Sequence, residues 1–167
     1  MGLEGSTVLY GSHGVCRVTG TASRDFGGRE ALYYVLEPVY DGGGTIFVPV
    51  DNPALSAKMR RVLTAEEVRA MIREMPEEEP IPLGDTARQR EISGEILRSG
   101  DRRRLVQLIK TLHVRQQARR EQRKKPCAQD ERIMKEAEKL LYEEFAYALN
   151  IRRDQVLPFI LQELGER

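Results

Sequence analysis

The stretch VLYGSHGVCRV, residues 8–18, contains the side chains best suited to chemistry. His13 and Cys16 are three positions apart, beside Gly11 and Gly14, in a chain with two histidines and two cysteines. An imidazole next to a thiol could form a nucleophilic dyad, because the imidazole can accept the thiol proton. The same two side chains are common ligands of zinc. The question is therefore whether this segment is a reactive site or a turn.

The spacing of these residues argues against both kinds of site. A four-ligand zinc site would also need His113 and Cys127, in a spacing unlike that of ordinary zinc ligand pairs. On a strand, positions 13 and 16 point to opposite faces because side chains alternate. We therefore expect the glycines to shape a turn, Cys16 to be a small strand residue and His13 to pack or cap locally. An enzyme with Cys16 as its nucleophile is the alternative.

Two other signatures of catalysis or phosphate binding are missing from the sequence. Neither a G-x-S-x-G nucleophile motif nor a G-x-x-x-x-G-K-[ST] phosphate loop occurs. The DGGG segment, residues 41–44, lacks the following helix that a phosphate-binding loop needs. We expect a protein that is not an enzyme, with no metal, no cofactor and no small-molecule substrate.

The length and composition indicate a soluble protein. The 167 residues suit one ordinary domain or two small ones. No segment approaches the roughly 18 apolar residues that span a bilayer, and no leader pattern opens the chain. The two cysteines are too far apart in the sequence to suggest a disulfide framework, which favours a reducing compartment. We expect a cytoplasmic protein without membrane contact.

The charges are distributed unevenly along the chain. The net charge of +1 is made up of −3 over residues 1–55, −1 over residues 56–100, +8 over residues 101–125 and −3 over residues 126–167. Residues 101–125 contain ten Lys and Arg against two acidic residues. A segment with this excess is suited to an anionic partner such as nucleic acid, whereas the N-terminal part is not.

The sequence from Thr7 to Val50 is typical of strands. Short runs rich in β-branched and aromatic residues alternate with glycine-rich turns such as DFGG, residues 25–28. This pattern predicts a small, strongly bent antiparallel barrel of roughly five strands over residues 1–55. Pro49 indicates that the last strand ends there or lies at a sheet edge, because proline cannot donate to the ladder.

The apolar period then becomes helical, which predicts an all-helical domain of about five helices over residues 56–167. Thr64 begins a capping box, and Gly100 and Asp101 suit the end of one helix and the start of the next. Pro158 indicates that the last helix starts late or kinks. The predicted fold class is therefore α+β with two domains. The predicted helices begin at about residues 64, 86, 101, 128 and 153.

Four motifs follow one another along the chain: VLYGSHGVCRV, YYVLEP, TIFVPVDN and SGD. The ordered set resembles the CarD (CdnL) family of bacterial transcription regulators over essentially the whole chain. The resemblance implies an N-terminal Tudor-like barrel, shared with the transcription-repair coupling factor, that docks on the β subunit of RNA polymerase. It also implies a helical domain that contacts promoter DNA near the upstream edge of the melted region and stabilises the open complex.

The resemblance further implies which residues meet polymerase. Arg24, just before the DFGG turn, matches a polymerase-facing arginine of the family. Phe47 stands where the family commonly has a second arginine. A barrel of net charge −3 suits a protein partner, and an exposed strand edge can pair with one by β-augmentation. The predicted polymerase-binding residues are Arg24, Ile46, Phe47 and Val48.

The basic segment and the helix that begins at residue 86 are the predicted DNA contacts. Where this chain has Asp85 and Thr86, the family has an Asn-Trp pair whose Trp acts as a wedge against the minor groove. With Thr86 we expect mainly phosphate contacts. A solvated helix face is the alternative for residues 102–104, and a protein-only adaptor that kept the barrel is the second hypothesis for the whole protein. The predicted DNA-binding residues are Thr86, Arg88, Arg90, Arg119, Arg120, Arg123, Lys124, Lys125 and Arg132.

Overall fold

The computed structural model of the protein describes residues 5–40 and 43–165. The chain contacts divide after Leu63, into a sheet unit, residues 1–63, and a helical unit, residues 64–167. The α+β arrangement in two parts is thus confirmed. The sheet unit extends past residue 55, the boundary used in the sequence analysis, because a short helix and a fifth strand still belong to it.

The sheet unit is an antiparallel sheet of five strands in the spatial order β4-β3-β2-β1-β5. β5 returns to pair with β1, so β4 and β5 are the two edges. Within the described residues these edges do not pair with each other, so the sheet is not closed, and the predicted barrel is not confirmed. Pro49 ends edge strand β4, as predicted. The elements are β1 (Thr7–Tyr10), β2 (Val15–Phe26), β3 (Arg29–Pro38), β4 (Ile46–Pro49), α1 (Pro53–Ser56) and β5 (Met59–Arg61).

The long β2–β3 hairpin dominates this sheet. Its two-residue turn is formed by Gly27 and Gly28, with φ of 69° and 80°. Tight hairpins that follow the twist of a sheet need positive φ at both central residues, which explains the glycines of DFGG. The GSHG segment forms a 3-10 turn that ends at Gly14, with φ of 76°. DGGG lies partly outside the described residues.

The sheet buries one apolar face. Its core contains Val8, Cys16, Val18, Leu36 and Val48, which are all buried and in contact as one cluster. These positions come from four strands. At β1 and the start of β2 the other face is buried as well, since Leu9 and Val15, which pair with each other, are 5 % and 1 % exposed. Only along the rest of the β2–β3 hairpin does the second face become more exposed and so available for other contacts.

Over residues 64–165, the described part of the helical unit, five α-helices lie near the predicted positions. The Thr64 capping box is present in both directions, and Gly100 takes the left-handed position, with φ of 65°, before Asp101 caps the next helix. The last helix starts later than residue 153, as Pro158 indicated. Pro158 is its third residue, where the missing N–H removes no intrahelical bond. The helices are α2 (Ala65–Glu74), α3 (Thr86–Ser99), α4 (Arg102–Glu121), α5 (Ala128–Leu149) and α6 (Val156–Gly165).

Helices α3, α4 and α5 share the main apolar core of this unit. Helix α4 contributes an apolar stripe, since Leu105, Leu108 and Leu112 are buried and Ile109 packs against them. On α5, Ile133 and Ala137 complete the cluster. Among the described residues, no helix combines the length and apolar character needed to cross a bilayer.

A buried carboxylate connects the same three helices. Asp130, in the first turn of α5, is fully buried and accepts hydrogen bonds from the Gln89 side chain of α3 and from Arg115 Nε of α4, the latter at 3.0 Å. A carboxylate without these donors would bear the full cost of desolvation. The pairing therefore fixes the starts of α3 and α5 against the second half of α4.

Removing the Asp130 carboxylate should destabilise the folded protein. In Asp130→Ala, the buried Gln89 side chain and the partly exposed Arg115 lose their acceptor, and we expect the free energy of unfolding to fall by about 2–4 kcal/mol. Asp154→Ala is the matched control, because Asp154 pairs with Arg152 at an exposed site and should contribute under about 1 kcal/mol. Urea unfolding followed by circular dichroism compares the two variants. Equal midpoints would contradict the role given to Asp130.

Candidate functional site

The reactive residues at the start of the chain have separate environments. Cys16 is completely buried in the apolar core of the sheet. His13 is exposed in the 3-10 turn, and its ring stacks on Tyr10 with centroids 5.5 Å apart. Within residues 5–40 and 43–165, no group of three or more His, Cys, Asp or Glu side chains is arranged to hold a metal ion. Cys16 is therefore a packing residue and His13 a stacking residue.

The second face of the sheet carries a cluster of aromatic rings with one cation, which we call the docking patch: Arg24, Phe26, Tyr33 and Phe47. The Arg24 guanidinium lies 5.5 Å from the centre of the Phe47 ring, a cation–π distance. Phe26 is half exposed, and its ring centroid is 5.2 Å from that of Tyr33 and 5.6 Å from that of Phe47. An exposed aromatic cluster of this kind is typical of a protein-binding surface.

Strand alternation separates the predicted polymerase-binding residues. Arg24 and Phe47 meet in the docking patch, whereas Val48 is buried beside Leu36 and Ile46 packs against the same core. Val48 can therefore offer a partner only the backbone of edge strand β4, which within the described residues pairs with β3. Ile46 is partly buried against the core. Side-chain contacts on the exposed face come from the docking patch.

Phe26 and Tyr33 are members of the patch that the sequence reasoning missed. The signal was available, since Phe26 is two residues after Arg24 and so shares its face of β2. Tyr33 is opposite Pro49 in the β3–β4 pairing, next to the Phe47 position. Alternation from Arg24 would have pointed to Phe26.

In the helical unit, α4 and α5 form a hairpin whose turn is strongly basic. No α4 residue after Leu112 is buried, so the last turns of α4 are exposed to solvent. Five cations at this end are exposed, and within the described residues their side chains make no hydrogen bond or ion pair. We call them the cationic tip: Arg120, Arg123, Lys124, Lys125 and Arg132.

Three other predicted DNA-binding residues have partners in the fold. Arg119 Nε donates to the Lys125 carbonyl at 2.8 Å and so holds the turn. Arg90 donates to Gln129 Oε1 at 3.1 Å, which places the start of α3 beside the start of α5. Arg88 is 3.8 Å from Glu91 in an exposed pair. The fold thus brings the predicted residues of α3, α4 and α5 to one end of the unit.

Thr86 is the first residue of α3 and is exposed. Asp85 caps the helix, and its Oδ1 accepts a hydrogen bond from the Arg88 N–H at 2.9 Å. The side chain at position 86 is therefore available to a partner, and within the described residues it does not cap the helix or contribute to the core.

Two grooves run beside the first half of α5, and both are lined partly by Lys135. Lys135 and Lys139 follow Arg132 at helical spacing, a signal that the sequence reasoning did not use. The grooves also contain carboxylates, among them Glu131 and Glu138. Burial raises the pKa of Glu138 despite the opposing influence of His113 and Lys135.

In the first half of the basic segment, cations pair with groups inside the fold. Arg102 makes a two-fold ion pair with buried Glu144, with the Nε–Oε1 distance at 2.7 Å. Arg103 pairs with Glu78 at 2.8 Å, and Lys110 Nζ donates to the carbonyls of Met75 and Pro76 at 3.0 and 3.1 Å. The charge excess therefore faces outward mainly at the far end of α4.

A comparison with known families bears on the sheet unit. Residues 4–63 match the family described as the CarD-like/TRCF RID domain, and the match ends where the helical unit begins. No curated protein matches the chain. The resemblance to the CarD family is thereby confirmed for residues 4–63, and the matching domain is a protein-interaction domain and not a catalytic one.

The environments of His13 and Cys16 predict different mutational effects. Cys16→Ser places a hydroxyl in an apolar core and should lower the free energy of unfolding by about 1–3 kcal/mol. His13→Ala loses one exposed ring contact, which is worth at most about 1.5 kcal/mol. Neither change should alter partner binding by the folded protein. Thiol labelling under native conditions should modify the half-buried Cys127 and spare Cys16; rapid labelling of Cys16 would contradict its burial.

Proposed function

We propose that this chain, which carries a CarD-like/TRCF RID domain in its sheet unit, is a non-enzymatic bacterial transcription regulator. It binds the β subunit of RNA polymerase through the docking patch and the β4 edge, and promoter DNA through the cationic tip. The observation that carries the proposal is the match of residues 4–63 to a domain that interacts with RNA polymerase. A protein in this role works in the bacterial cytoplasm, and its sheet unit is a Tudor-like domain.

Docking on polymerase uses two features of the sheet unit. The β4 edge offers backbone groups to a strand of the β subunit, and β-augmentation provides affinity through such groups. The docking patch adds Arg24, a cation held over Phe47, beside exposed Phe26. Its best partner is therefore a strand that carries a carboxylate and an apolar side chain on one face. Where the family commonly has a second arginine, this chain has Phe47, which would contact the partner through its aromatic ring instead.

Contact with DNA rests on charge rather than on base recognition. The five cations of the tip are exposed and have no internal ion pair in the described chain. Arginine and lysine bind backbone phosphates, which position a protein on DNA without reading its sequence. Such a contact is weak alone, but attachment to polymerase raises the local DNA concentration and can add about 10²–10⁴ in avidity. The result is a longer-lived open complex.

The protein-only adaptor is the second candidate, and one observation favours it. Glu131 and Glu138 line the grooves next to the tip, where they repel phosphates and suit a protein surface of mixed charge. Duplex DNA binding and its salt dependence separate the two candidates, since an adaptor would show neither.

The docking patch predicts a specific loss of polymerase binding. Arg24→Glu should weaken binding of the whole protein to RNA polymerase by about tenfold or more, because the patch loses its cation and gains a repulsive charge. Phe47→Ala should also weaken it. Arg17→Glu is the matched control, since Arg17 is an exposed arginine of the same strand outside the patch. Fluorescence titration measures the affinity of the three variants for RNA polymerase. Equal affinity for all of them would exclude the docking patch as the surface that binds polymerase.

The cationic tip predicts a salt-dependent interaction with duplex DNA. Each phosphate that is neutralised contributes about −0.9 to the slope of log K on log salt, so four or five engaged cations give a slope of about −4. In Lys124→Glu/Lys125→Glu the slope should become shallower by about 2. The control with the same charge change is Arg98→Glu/Arg104→Glu, which should keep the original slope. Arg98 is exposed in the last turn of α3 and Arg104 is exposed in the first turn of α4, at the end of α4 opposite the tip.

The same variants extend the test to transcription complexes. The tip double mutant should shorten the open-complex lifetime on one promoter, while the control pair should not. Thr86→Trp should lengthen it, because an exposed Trp at the start of α3 can wedge into a flexible step of the minor groove. Identical lifetimes for all variants that still bind polymerase would support the adaptor.

A further inference from the structure

The turn that closes the α4–α5 hairpin has an unusual residue at its centre. The N–H of Lys124 donates to the Arg119 carbonyl at 2.9 Å, and that of Arg123 donates to the Arg120 carbonyl at 3.0 Å. These two bonds form a Schellman cap, in which the residue after the C-cap adopts the left-handed conformation. That residue is Arg123, with φ of 59°.

Glycine is the residue that this position favours, because a Cβ in the left-handed region approaches the following backbone too closely. Among the described residues, the other non-glycine with positive φ is Asn150, which ends α5 at φ of 58°. Asparagine tolerates this conformation better than most residues do. Arginine has no such advantage, so Arg123 makes the cap less stable than glycine would.

The fold gains nothing from the Arg123 side chain in return. The side chain is exposed and makes no hydrogen bond or ion pair within the described residues. Its sequence neighbours Lys124 and Lys125 have the same charge, which adds repulsion. A strained residue that is exposed and without a partner indicates a role outside the folding of the chain.

We infer that Arg123 is a dedicated phosphate-binding residue at the end of the hairpin, retained at the expense of helical-unit stability. Its ligand is a backbone phosphate of duplex DNA. The guanidinium presents paired donors that match two phosphate oxygens, and the tight turn fixes its backbone before binding. This inference rests on the proposed function and goes beyond it, because it states that one tip residue trades stability for binding.

Arg123→Gly tests both sides of this exchange in the full-length protein. The melting temperature should rise by about 2–4 °C, since the strain of the cap is relieved, although the greater freedom of the unfolded glycine chain offsets part of the gain. The slope of log K on log salt for duplex DNA should become shallower by about 0.9. Stability and DNA binding thus change in opposite directions, which general loss of structure cannot produce.

Three further variants separate the two effects. Arg123→Ala keeps the strain caused by the Cβ atom. Its slope should become shallower by the same amount as that of Arg123→Gly, but its melting temperature should not rise. Arg123→Lys keeps the charge and should keep the slope. Asn150→Gly is the control for a glycine at an equivalent cap, and its DNA binding should equal that of the wild type.

The outcomes distinguish this inference from the proposed function. A wild-type protein that shows no salt-dependent DNA binding overturns both. If the wild type binds and the Lys124→Glu/Lys125→Glu variant binds less, but Arg123→Gly keeps the wild-type slope, only the inference about Arg123 is overturned. A lower melting temperature for Arg123→Gly than for the wild type would overturn the stability exchange.

Discussion

The buried carboxylate of Asp130 is the interaction on which the helical unit depends. A charge at a fully buried position persists only with donors around it, and here these donors come from two other helices, through Gln89 and Arg115. The pairing sets the start of α5 beside the start of α3 and along the exposed half of α4. As a consequence, cations that are distant in the sequence share one end of the unit, and within the described residues the five side chains of the cationic tip have no internal partner.

In the sheet unit, the alternation of side chains along the strands separates core residues from the interaction surface. Cys16 and Val48 lie on the face that forms the apolar core, and along β2 and β4 the opposite face carries Arg24, Phe26 and Phe47. The Cys16 thiol is therefore part of the packed core, and the interaction surface is aromatic and cationic. The two units therefore present different chemistry, one suited to a protein strand and the other to a phosphate backbone, on a single chain.

The sequence was sufficient for features that local chemistry determines. The helix ends at Thr64 and Asp101 could be predicted because capping depends on neighbouring residues. Strand β5, Met59–Arg61, could not, because it is short, contains two arginines and exists only through pairing with β1. The docking patch was predicted in part, through the family resemblance, and Phe26 was missed. Lys135 follows Arg132 at helical spacing and could have been noticed, but its place in the grooves beside the tip depends on how α4 and α5 pack.

Site-specific photocrosslinking within one assembled open complex tests the central account most directly, since it reports the partner of each unit in the intact protein. A photoreactive residue would replace Phe47 in the docking patch or Lys124 in the cationic tip. The account predicts that the probe at position 47 crosslinks to the β subunit of RNA polymerase and that the probe at position 124 crosslinks to promoter DNA. A probe at position 124 that reaches only protein, or one at position 47 that fails to reach the β subunit, would contradict it.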